Sequence, residues 1–288
     1  MAGSELLELQ RSARHGYLLF CICLLFCAGL SMGGNYVYGG LTVEQHLAGA
    51  TGFLAVSPDQ ASWYLSVTPL TQLAGILAGC PAGERWGRKP VLVLTSLLSV
   101  LGYIIMYLSN SFWLLLLGRG INSFSTGFGS MMPFILVSEM SSIRARAPAS
   151  VVGNLSFSLG GLLAFLTASF LPLSLLLPLA ASLSCLFLLL CPWLPESPQH
   201  LARQGRLEEA AQVYHRLRGP DYQGVELEIK EVLAIGAGTG KGGWRARWRE
   251  ASFLRPLAIL APLYLAISFS GLDCPLVFYG PSMFSDFG

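Results

Sequence analysis

The residues of this sequence that could do chemistry are a few charged side chains at the ends of long apolar segments. Glu139 and Arg146 lie seven residues apart at the end of one segment, Arg88 lies in a basic turn between two others, and Glu196 follows a stretch of 49 residues without charge. A carboxylate at the edge of a hydrocarbon layer is costly unless it is paired. We therefore predict that Arg88, Glu139 and Arg146 cluster, with Glu196 at the same level. The full set assigned to this charge cluster is Glu84, Arg85, Gly87, Arg88, Arg119, Glu139, Arg146 and Glu196.

The sequence gives little support for an enzyme or for a metal site. No serine, cysteine or carboxylate stands with a base in a catalytic pattern, and the seven cysteines lie in or beside apolar segments without metal-ligand spacing. Gly236–Gly243 (GAGTGKGG) resembles a phosphate loop only superficially, because Gly follows Lys241 where Ser or Thr is needed, and a flexible linker is predicted instead. The net charge is only +2. We expect no enzyme activity, cofactor, metal or nucleic-acid partner.

Long segments without charge define the elements that position these residues. Gly16–Val43, Gln60–Gly83, Pro90–Gly118 and Ala147–Pro195 contain no Asp, Glu, Lys or Arg, and only 12% of all residues are charged. A helix of about 20 apolar residues crosses a bilayer core of about 30 Å. The sequence therefore predicts an all-α membrane protein in contact with the lipid bilayer. The seven predicted spans are Tyr17–Tyr38, Ser62–Ala82, Val91–Leu108, Phe112–Ser138, Pro148–Leu171, Pro172–Leu194 and Pro256–Tyr279.

The distribution of lysine and arginine predicts the orientation of these spans. Of the 18 basic residues, 17 fall on one side of the membrane if the spans alternate, and that side also carries the N-terminus. The remaining one, Arg119, lies within span four. Loops rich in basic residues stay on the cytoplasmic side. We therefore predict a multi-pass protein with a cytoplasmic N-terminus, and we expect it in the plasma membrane.

The connection Pro195–Leu254 is the one long polar region. Apolar residues recur at helical spacing, with charged residues on the opposite face, over Gly205–Arg218 and more weakly over Gln223–Ile235. Ser197 is expected to cap a further helix that begins at Pro198, because proline suits the first helical position. Two or three short helices are therefore predicted on the cytoplasmic membrane surface.

These motifs, in this order, resemble the sugar porter family of the major facilitator superfamily. That family carries Gly-Arg-[Arg/Lys] after span two, Gly-Arg early in span four, a Glu followed seven residues later by Arg, and Pro-Glu-Ser-Pro-Arg-Trp-Leu after span six. The chain also resembles the family's insect trehalose and sugar transporter branch. The matching residues are Gly87-Arg88-Lys89, Gly118-Arg119, Glu139 with Arg146, Pro195–Leu201 with Gln199 and His200 in place of Arg and Trp, and the segment Gly205–Gly219.

The resemblance implies a bundle of twelve spans that moves a sugar, hexose or trehalose, by facilitated alternating access. Seven spans would then be the N-terminal part of such a protein. We expect residues 1–16 to form a cytoplasmic N-terminus and residues 17–194 a six-helix transmembrane bundle. Residues 195–254 would form a cytoplasmic loop with short helices, and residues 255–288 the seventh helix, which starts an incomplete second half. The charge cluster would act as a conformational gate.

The resemblance also implies substrate contacts at Asn154, Ser268 and Asp273. Asn154 stands where the family has a Gln in span five, and it keeps an amide. The family's Gln-Gln-Leu-Ser-Gly-Ile-Asn in span seven corresponds to Ile267–Asp273, in which both glutamines are absent. An unmet sugar hydroxyl costs about 1–3 kcal/mol, so this loss weakens hexose binding or changes the ligand. Two of these contacts have an alternative. Asn154 would instead form a helix–helix hydrogen bond, and Asp273 would instead lie at a solvated helix end.

Two other functions remain as alternatives. The loss of the span-seven amides favours a protein of transporter fold that senses a solute without moving it. Asp273 favours a carrier of a non-sugar organic solute. Proton-driven sugar porters commonly carry an Asp in span one, whereas Gly16–Val43 holds no acidic residue. The resemblance therefore implies facilitated diffusion rather than proton coupling.

Overall fold

The structure, a computed structural model, describes residues 16–49, 54–142, 145–170, 175–220 and 222–239, together with 254–256, 258–260, 262–263 and 266. Within these residues all regular secondary structure is helical, as the sequence predicts. A 3-10 turn over Cys191–Trp193 follows the helix Leu176–Leu190. The helices are α1 (Gly16–Ala48), α2 (Pro58–Trp86), α3 (Arg88–Tyr107), α4 (Phe112–Gly129), α5 (Met132–Met140), α6 (Arg146–Phe170), α7 (Leu176–Leu190), α8 (Pro198–Arg203), α9 (Leu207–Arg218) and α10 (Val225–Thr239).

Four helices are long and apolar enough to cross a membrane. They are Gly16–Val43, Pro58–Trp86, Arg88–Tyr107 and Arg146–Ala168, while the segment Leu177–Trp193 is apolar but shorter. These correspond to predicted spans one, two, three and five, and to span six. Of predicted span seven, a few described residues are helical, and most of it lies outside the described residues.

Predicted span four is not one continuous helix. The prediction ran unbroken from Phe112 to Ser138, whereas α4 ends at Gly129 and α5 begins at Met132. Pro133 lies in the first turn of α5, where its missing N–H costs nothing. The predicted span is therefore interrupted at Ser130 and Met131, where the missing N–H of Pro133 leaves a gap in the hydrogen-bond ladder; α2, by contrast, continues through Pro69 and Pro81.

The polar connection forms the three helices α8, α9 and α10. Ser197 caps α8 as predicted: its Oγ accepts a hydrogen bond of 3.2 Å from the backbone N–H of His200. The predicted linker was partly wrong, because α10 continues to Thr239. A buried ion pair of 2.9 Å between Arg218 and Glu228 joins α9 to α10. The end of the bundle that carries these helices is called the α8–α10 end.

The long helices pack in pairs, α2 and α3 each against α4, and α1 against α6. Gly33 allows α1 to approach α6 closely, since a β-carbon there would overlap the backbone carbonyl of Phe157. At the adjacent Gly34 the nearest atom to such a β-carbon, the oxygen of Gly160, is 3.6 Å away. Small residues at such contacts are the usual basis of helix association in lipid.

These two neighbouring glycines make a matched pair for mutation. We expect Gly33→Ala to destabilise the bundle by about 1–3 kcal/mol, because it overpacks the α1–α6 contact. Gly34→Ala, the same chemical change one residue further along α1, should have little effect. Thermal unfolding in detergent would measure both, and equal stability of the two variants would contradict the role of Gly33.

Two apolar clusters lie at opposite ends of the bundle with a polar layer between them. One, towards the α8–α10 end, includes Leu25, Leu92 and Leu136, and the other includes Leu65 and Tyr103. The helix positions between the clusters carry buried polar side chains. This layer contains Asn35, Thr68, Ser99, Arg119, Asn122 and Thr126.

Candidate functional site

Arg88 is the centre of a buried charge cluster at the α8–α10 end. Its guanidinium lies 2.9 Å from the Glu139 carboxylate, and its Nη1 donates to the backbone carbonyl of Gly83 at 2.9 Å. The side chains of Arg88 and Glu139 are only 4% and 9% exposed. Charges so far from solvent are stable only when they are paired. The Arg88–Glu139 pair expected from the sequence is therefore formed.

Within the described residues Glu196 forms no ion pair with a guanidinium; it caps helix α3 instead. Its carboxylate accepts hydrogen bonds from the backbone N–H groups of Arg88 at 3.0 Å, Lys89 at 3.2 Å and Ser197 at 2.8 Å. The N-terminus of a helix carries partial positive charge and unpaired N–H groups, which favour an anion. Gly87, with φ of 106°, leaves room for this carboxylate, since a β-carbon there would overlap it.

Helix α8 is held to the bundle through the same residues. The Nδ1 atom of His200 lies 2.8 Å from Nη1 of Arg88, and Gln199 donates to the backbone carbonyl of Glu139 at 3.5 Å. Together with the Glu196 cap, these contacts tie α8 to the α2–α3 turn and to α5. We call Arg88, Glu139, Glu196 and His200 the α8 clamp.

Four residues predicted for the cluster lie at its edge or outside it: Arg146, Glu84 and Arg85, and also Arg119, which the prediction wrongly placed here and which lies in the polar layer. Arg146 is exposed, and within the described residues it makes no ion pair; its Nε donates to the backbone carbonyl of Ser138 at 3.1 Å. Glu84 reaches Arg88 at 3.8 Å but is 75% exposed, and Arg85 is exposed. The prediction that Arg146 joins Arg88 and Glu139 is wrong for this structure, because α6 starts at Arg146 and directs it back along α5.

The position of Arg146 changes the effect expected of its removal. Under the transport function that the sequence resemblance implies, we expect Arg146→Ala to lower uptake by less than Arg88→Ala does at equal surface expression, because it breaks one exposed hydrogen bond. Uptake assays on both variants side by side would measure this order. A larger loss with Arg146→Ala would show that Arg146 pairs in another conformation of the protein.

Arg119 occupies the polar layer in the middle of the bundle. It is 0% exposed; its Nε donates to Thr68 at 3.1 Å, its Nη1 to the backbone carbonyl of Asn35 at 3.3 Å, and the guanidinium lies over the rings of Tyr38 and Tyr64. No carboxylate in the described part of the chain lies within ion-pair distance of Arg119. Oxygen dipoles and aromatic faces thus stabilise this cation.

The polar layer also encloses a small cavity. Its volume is about 20 Å³, which is enough for one water molecule. Hydroxyl groups from four helices face it, and two of them, Ser31 and Ser184, are 2.7 Å apart. The layer therefore offers hydrogen-bonding groups inside the bundle but, as it stands, no space for a sugar.

The predicted substrate contacts are only partly described. Asn154 lies on the exposed face of α6, with its Nδ2 3.5 Å from the carbonyl oxygen of Ser150. Within the described residues its amide oxygen has no partner, so the helix–helix hydrogen bond considered as an alternative is not formed there. Ser268 and Asp273 lie outside the described residues.

Sequence reasoning missed the partners of Arg119 and the role of His200. Asn35 lies in a glycine-rich stretch with no motif of its own, and Tyr38 and Tyr64 are common residues in apolar helices. His200 had a usable signal, because a titratable residue replaces an aromatic one inside a recognisable motif. Its contact with a guanidinium more than a hundred residues away had no signal.

A family model described as "Sugar (and other) transporter" matches residues 20–288. The chain belongs to this sugar transporter family. The match covers the bundle, the α8 clamp and the three helices at the α8–α10 end. As a member of this family, and with four helices able to cross a bilayer, the protein is a multi-pass membrane protein.

Curated relatives within the family include insect trehalose transporters. The chain is 28% identical over 236 residues to the facilitated trehalose transporter Tret1 of Drosophila pseudoobscura pseudoobscura, which covers 81% of this chain and 27% of that protein. It is 27% identical over 236 residues to Tret1 of Polypedilum vanderplanki, with 81% and 46% covered. The chain thus spans between about a quarter and a half of the length of these relatives.

Solved structures of sugar transporters share the fold. The inward open conformation of the xylose transporter XylE from E. coli superposes with a TM-score of 0.73 at 16% identity, covering 92% of this chain and 64% of that chain. XylE bound to 6-bromo-6-deoxy-D-glucose gives a TM-score of 0.68 at 20% identity, covering 78% and 55%. The all-α bundle therefore has the major facilitator superfamily fold.

Proposed function

We propose that the protein moves a sugar, hexose or trehalose, across a membrane by facilitated alternating access. Family membership supports transport, and the names of the curated relatives support the substrate class. The observation that carries the mechanism is the α8 clamp. A buried ion pair inside the bundle, between Arg88 and Glu139, holds Arg88 in place. A few hydrogen bonds from Arg88, Lys89 and Glu139 then join the bundle to α8 and its cap, and they can break and re-form without unfolding either part.

In this proposal the clamp stabilises the state that is closed on the α8–α10 side. Opening that side pulls α8 away from the α2–α3 turn, so the Arg88–His200 contact and the Glu196 cap must break. These interactions are short-range and directional. The clamp therefore sets a barrier between two discrete arrangements, as alternating access at a central site requires.

The surroundings of Arg119 support facilitated rather than proton-coupled movement. Its partner on α1 is the amide residue Asn35, which does not titrate, and Gly16–Val43 holds no acidic residue. A proton-coupled site needs a group that gains and loses a proton as the solute moves. With the pH on the α8–α10 side held constant, we therefore expect uptake to be independent of a proton gradient across the membrane.

Asn154 is the described residue that we propose as a substrate contact. Its amide is exposed on α6, on the face that a second half of the bundle would meet across a central cavity. We expect Asn154→Ala to raise the KM for sugar uptake about three- to tenfold, which corresponds to one lost hydrogen bond. Asn154→Gln keeps the amide and should restore most of the affinity. An unchanged KM in Asn154→Ala would argue against contact with the substrate.

In the same proposal, the orientation of the protein in the membrane follows from the distribution of its charges. With the α8–α10 side in the cytoplasm, the N-terminus is cytoplasmic too, and basic residues face the interior of the cell. We propose the plasma membrane as the location, and the sugar and the lipid bilayer as partners, with no nucleic acid among them. The proposed role is that of a carrier and not of an enzyme.

Uptake of radiolabelled glucose and trehalose, measured with the full-length protein and with and without a proton gradient, tests the proposal. Saturable uptake that ignores the gradient supports a facilitative sugar carrier. Binding without uptake would favour the solute sensor instead, which the missing span-seven amides support. Neither binding nor uptake of sugars, at verified surface expression, would favour a non-sugar organic solute.

A further inference from the structure

His200 is a titratable side chain inside the α8 clamp. It is only 4% exposed, and its Nδ1 lies 2.8 Å from Nη1 of Arg88. A guanidinium has donors and no acceptor, so Nδ1 must be the acceptor of this hydrogen bond. The imidazole is therefore neutral, with its proton on Nε2.

The second ring nitrogen fits the same assignment. Nε2 of His200 lies 2.9 Å from the amide nitrogen of Gln204, so the assignment requires the Gln204 amide to be turned over, with its oxygen in this position. Because Nε2 carries the proton, the amide oxygen of Gln204 must face it; oxygen and nitrogen of an amide are interchangeable in shape. A chain of two hydrogen bonds thus runs from Arg88 through His200 to Gln204, and it exists only while the imidazole is neutral.

We propose that neutral His200 positions Arg88 for its ion pair with Glu139, and that protonation of His200 releases α8 from the bundle. A proton on Nδ1 would point at the N–H of Nη1 and would place two positive charges 2.8 Å apart away from solvent. His200 is thus a positioning residue and a proton switch of the α8 clamp. The consequence for transport, that acid on the α8–α10 side biases the carrier towards opening there, rests on the function proposed above.

Charged groups from all neighbouring elements act on His200. Burial and then the charge of Arg88 lower its pKa below the usual 6.5, while the carboxylates of Glu196, Glu139 and Glu84 act in the opposite direction. The groove beside His200 is also lined by the ion pair of Arg206 with Glu209, whose charges largely compensate each other, and by Arg216 of α9, whose positive charge disfavours a second cation there. The balance keeps the imidazole neutral at pH 7.

The sign of the pH effect follows from this lowered pKa. The docked state binds fewer protons than the released state, so docking is complete above about pH 6.5 and is lost as the pH falls from there through the lowered pKa. Each unit by which the pKa is lowered weakens docking about tenfold at acid pH.

Hydrogen–deuterium exchange on the full-length protein in lipid nanodiscs tests the switch. After correction for intrinsic exchange, we expect exchange in α8 and the start of α9 to rise by up to about tenfold between pH 7.5 and 5.5. His200→Asn carries an oxygen near the position of Nδ1 and does not titrate, so its α8 should remain protected at both pH values. His215→Asn, which changes the other histidine of this region, is the control and should keep the wild-type response.

Exchange that does not depend on pH in the wild-type protein would overturn the proposal, as would a wild-type response in His200→Asn. His200→Gln offers a second acceptor that does not titrate, if the Asn variant folds poorly. Uptake measured in parallel separates the two proposals. If sugar is taken up but exchange in α8 does not depend on pH, only the switch is overturned. If exchange in α8 depends on pH and His200→Asn abolishes that dependence, the switch is supported even when no sugar is moved.

Discussion

Replacing Arg88 by leucine is expected to destabilise the protein by about 3–5 kcal/mol and to abolish sugar uptake. The substitution leaves the carboxylate of Glu139 buried without its partner and removes the donor to the backbone carbonyl of Gly83 and to His200. An unpaired buried charge is among the most costly defects in a folded protein. Chemical denaturation in detergent measures the stability, and the uptake assay measures the function.

Two further variants test this reasoning about Arg88. Glu84→Gln removes a charge from the same turn, but Glu84 is 75% exposed, so its loss should change stability by at most about 1 kcal/mol. Arg88→Leu combined with Glu139→Leu removes both charges and should recover much of the stability, without recovering the clamp. If the double variant were as unstable as Arg88→Leu alone, the cost would not come from the stranded carboxylate.

Asn35→Asp is expected to make sugar uptake depend on pH. The side-chain oxygen of Asn35 is 3.5 Å from Nη1 of Arg119, and its Nδ2 donates to the backbone carbonyl of Asn122 at 3.2 Å. An ionised carboxylate there gains an ion pair with Arg119 but turns an oxygen towards Asn122. A protonated carboxyl can keep the hydrogen bond to Asn122, so the new group has two distinct states with different partners.

The pH experiment must separate this site from His200. With the α8–α10 side held at pH 7.5 and the opposite side varied from 5.5 to 7.5, we expect uptake by Asn35→Asp to change about tenfold, the factor that corresponds to one pKa unit. Uptake by the wild-type protein should stay constant under these conditions. Asn35→Ala loses the same amide without adding a carboxyl, so it should be weaker at every pH and equally independent of pH. If uptake by Asn35→Ala also depended on pH, the new carboxyl would not be the cause of the pH dependence in Asn35→Asp.

The helices were predictable because their signals are local. Three signals depend only on neighbours in sequence: a run of about 20 residues without charge, the Ser197 cap, and the helical spacing of Gly205–Arg218. The bounds of α8 and α9 agree with these predictions within one or two residues. The errors were local as well. Pro133 breaks span four, and four residues of the predicted glycine-rich linker are helical.

The site was less predictable because its contacts join distant parts of the chain. Arg88 and Glu139 could be paired in advance, since two opposite charges at one membrane level have few other partners. Arg146 had the same properties but points along α5, and Glu196 binds backbone N–H groups rather than a cation. Differences of a few ångströms decide which of several similar charges form a pair. The spacing of residues along the sequence does not reveal these distances.

The sequence by itself determined that this chain is a bundle of apolar helices with its basic residues, apart from Arg119, predicted on one side of the membrane, because burial in lipid acts on composition and periodicity. It also determined the family, since several motifs recur in one order. Only the tertiary structure decided that Glu196 caps α3, that Arg119 is surrounded by Asn35, Thr68 and aromatic rings rather than by a carboxylate, and that His200 accepts a hydrogen bond from Arg88. Hydrogen bonds and ion pairs act over about 3–4 Å, and only helix packing brings residues a hundred positions apart within that range.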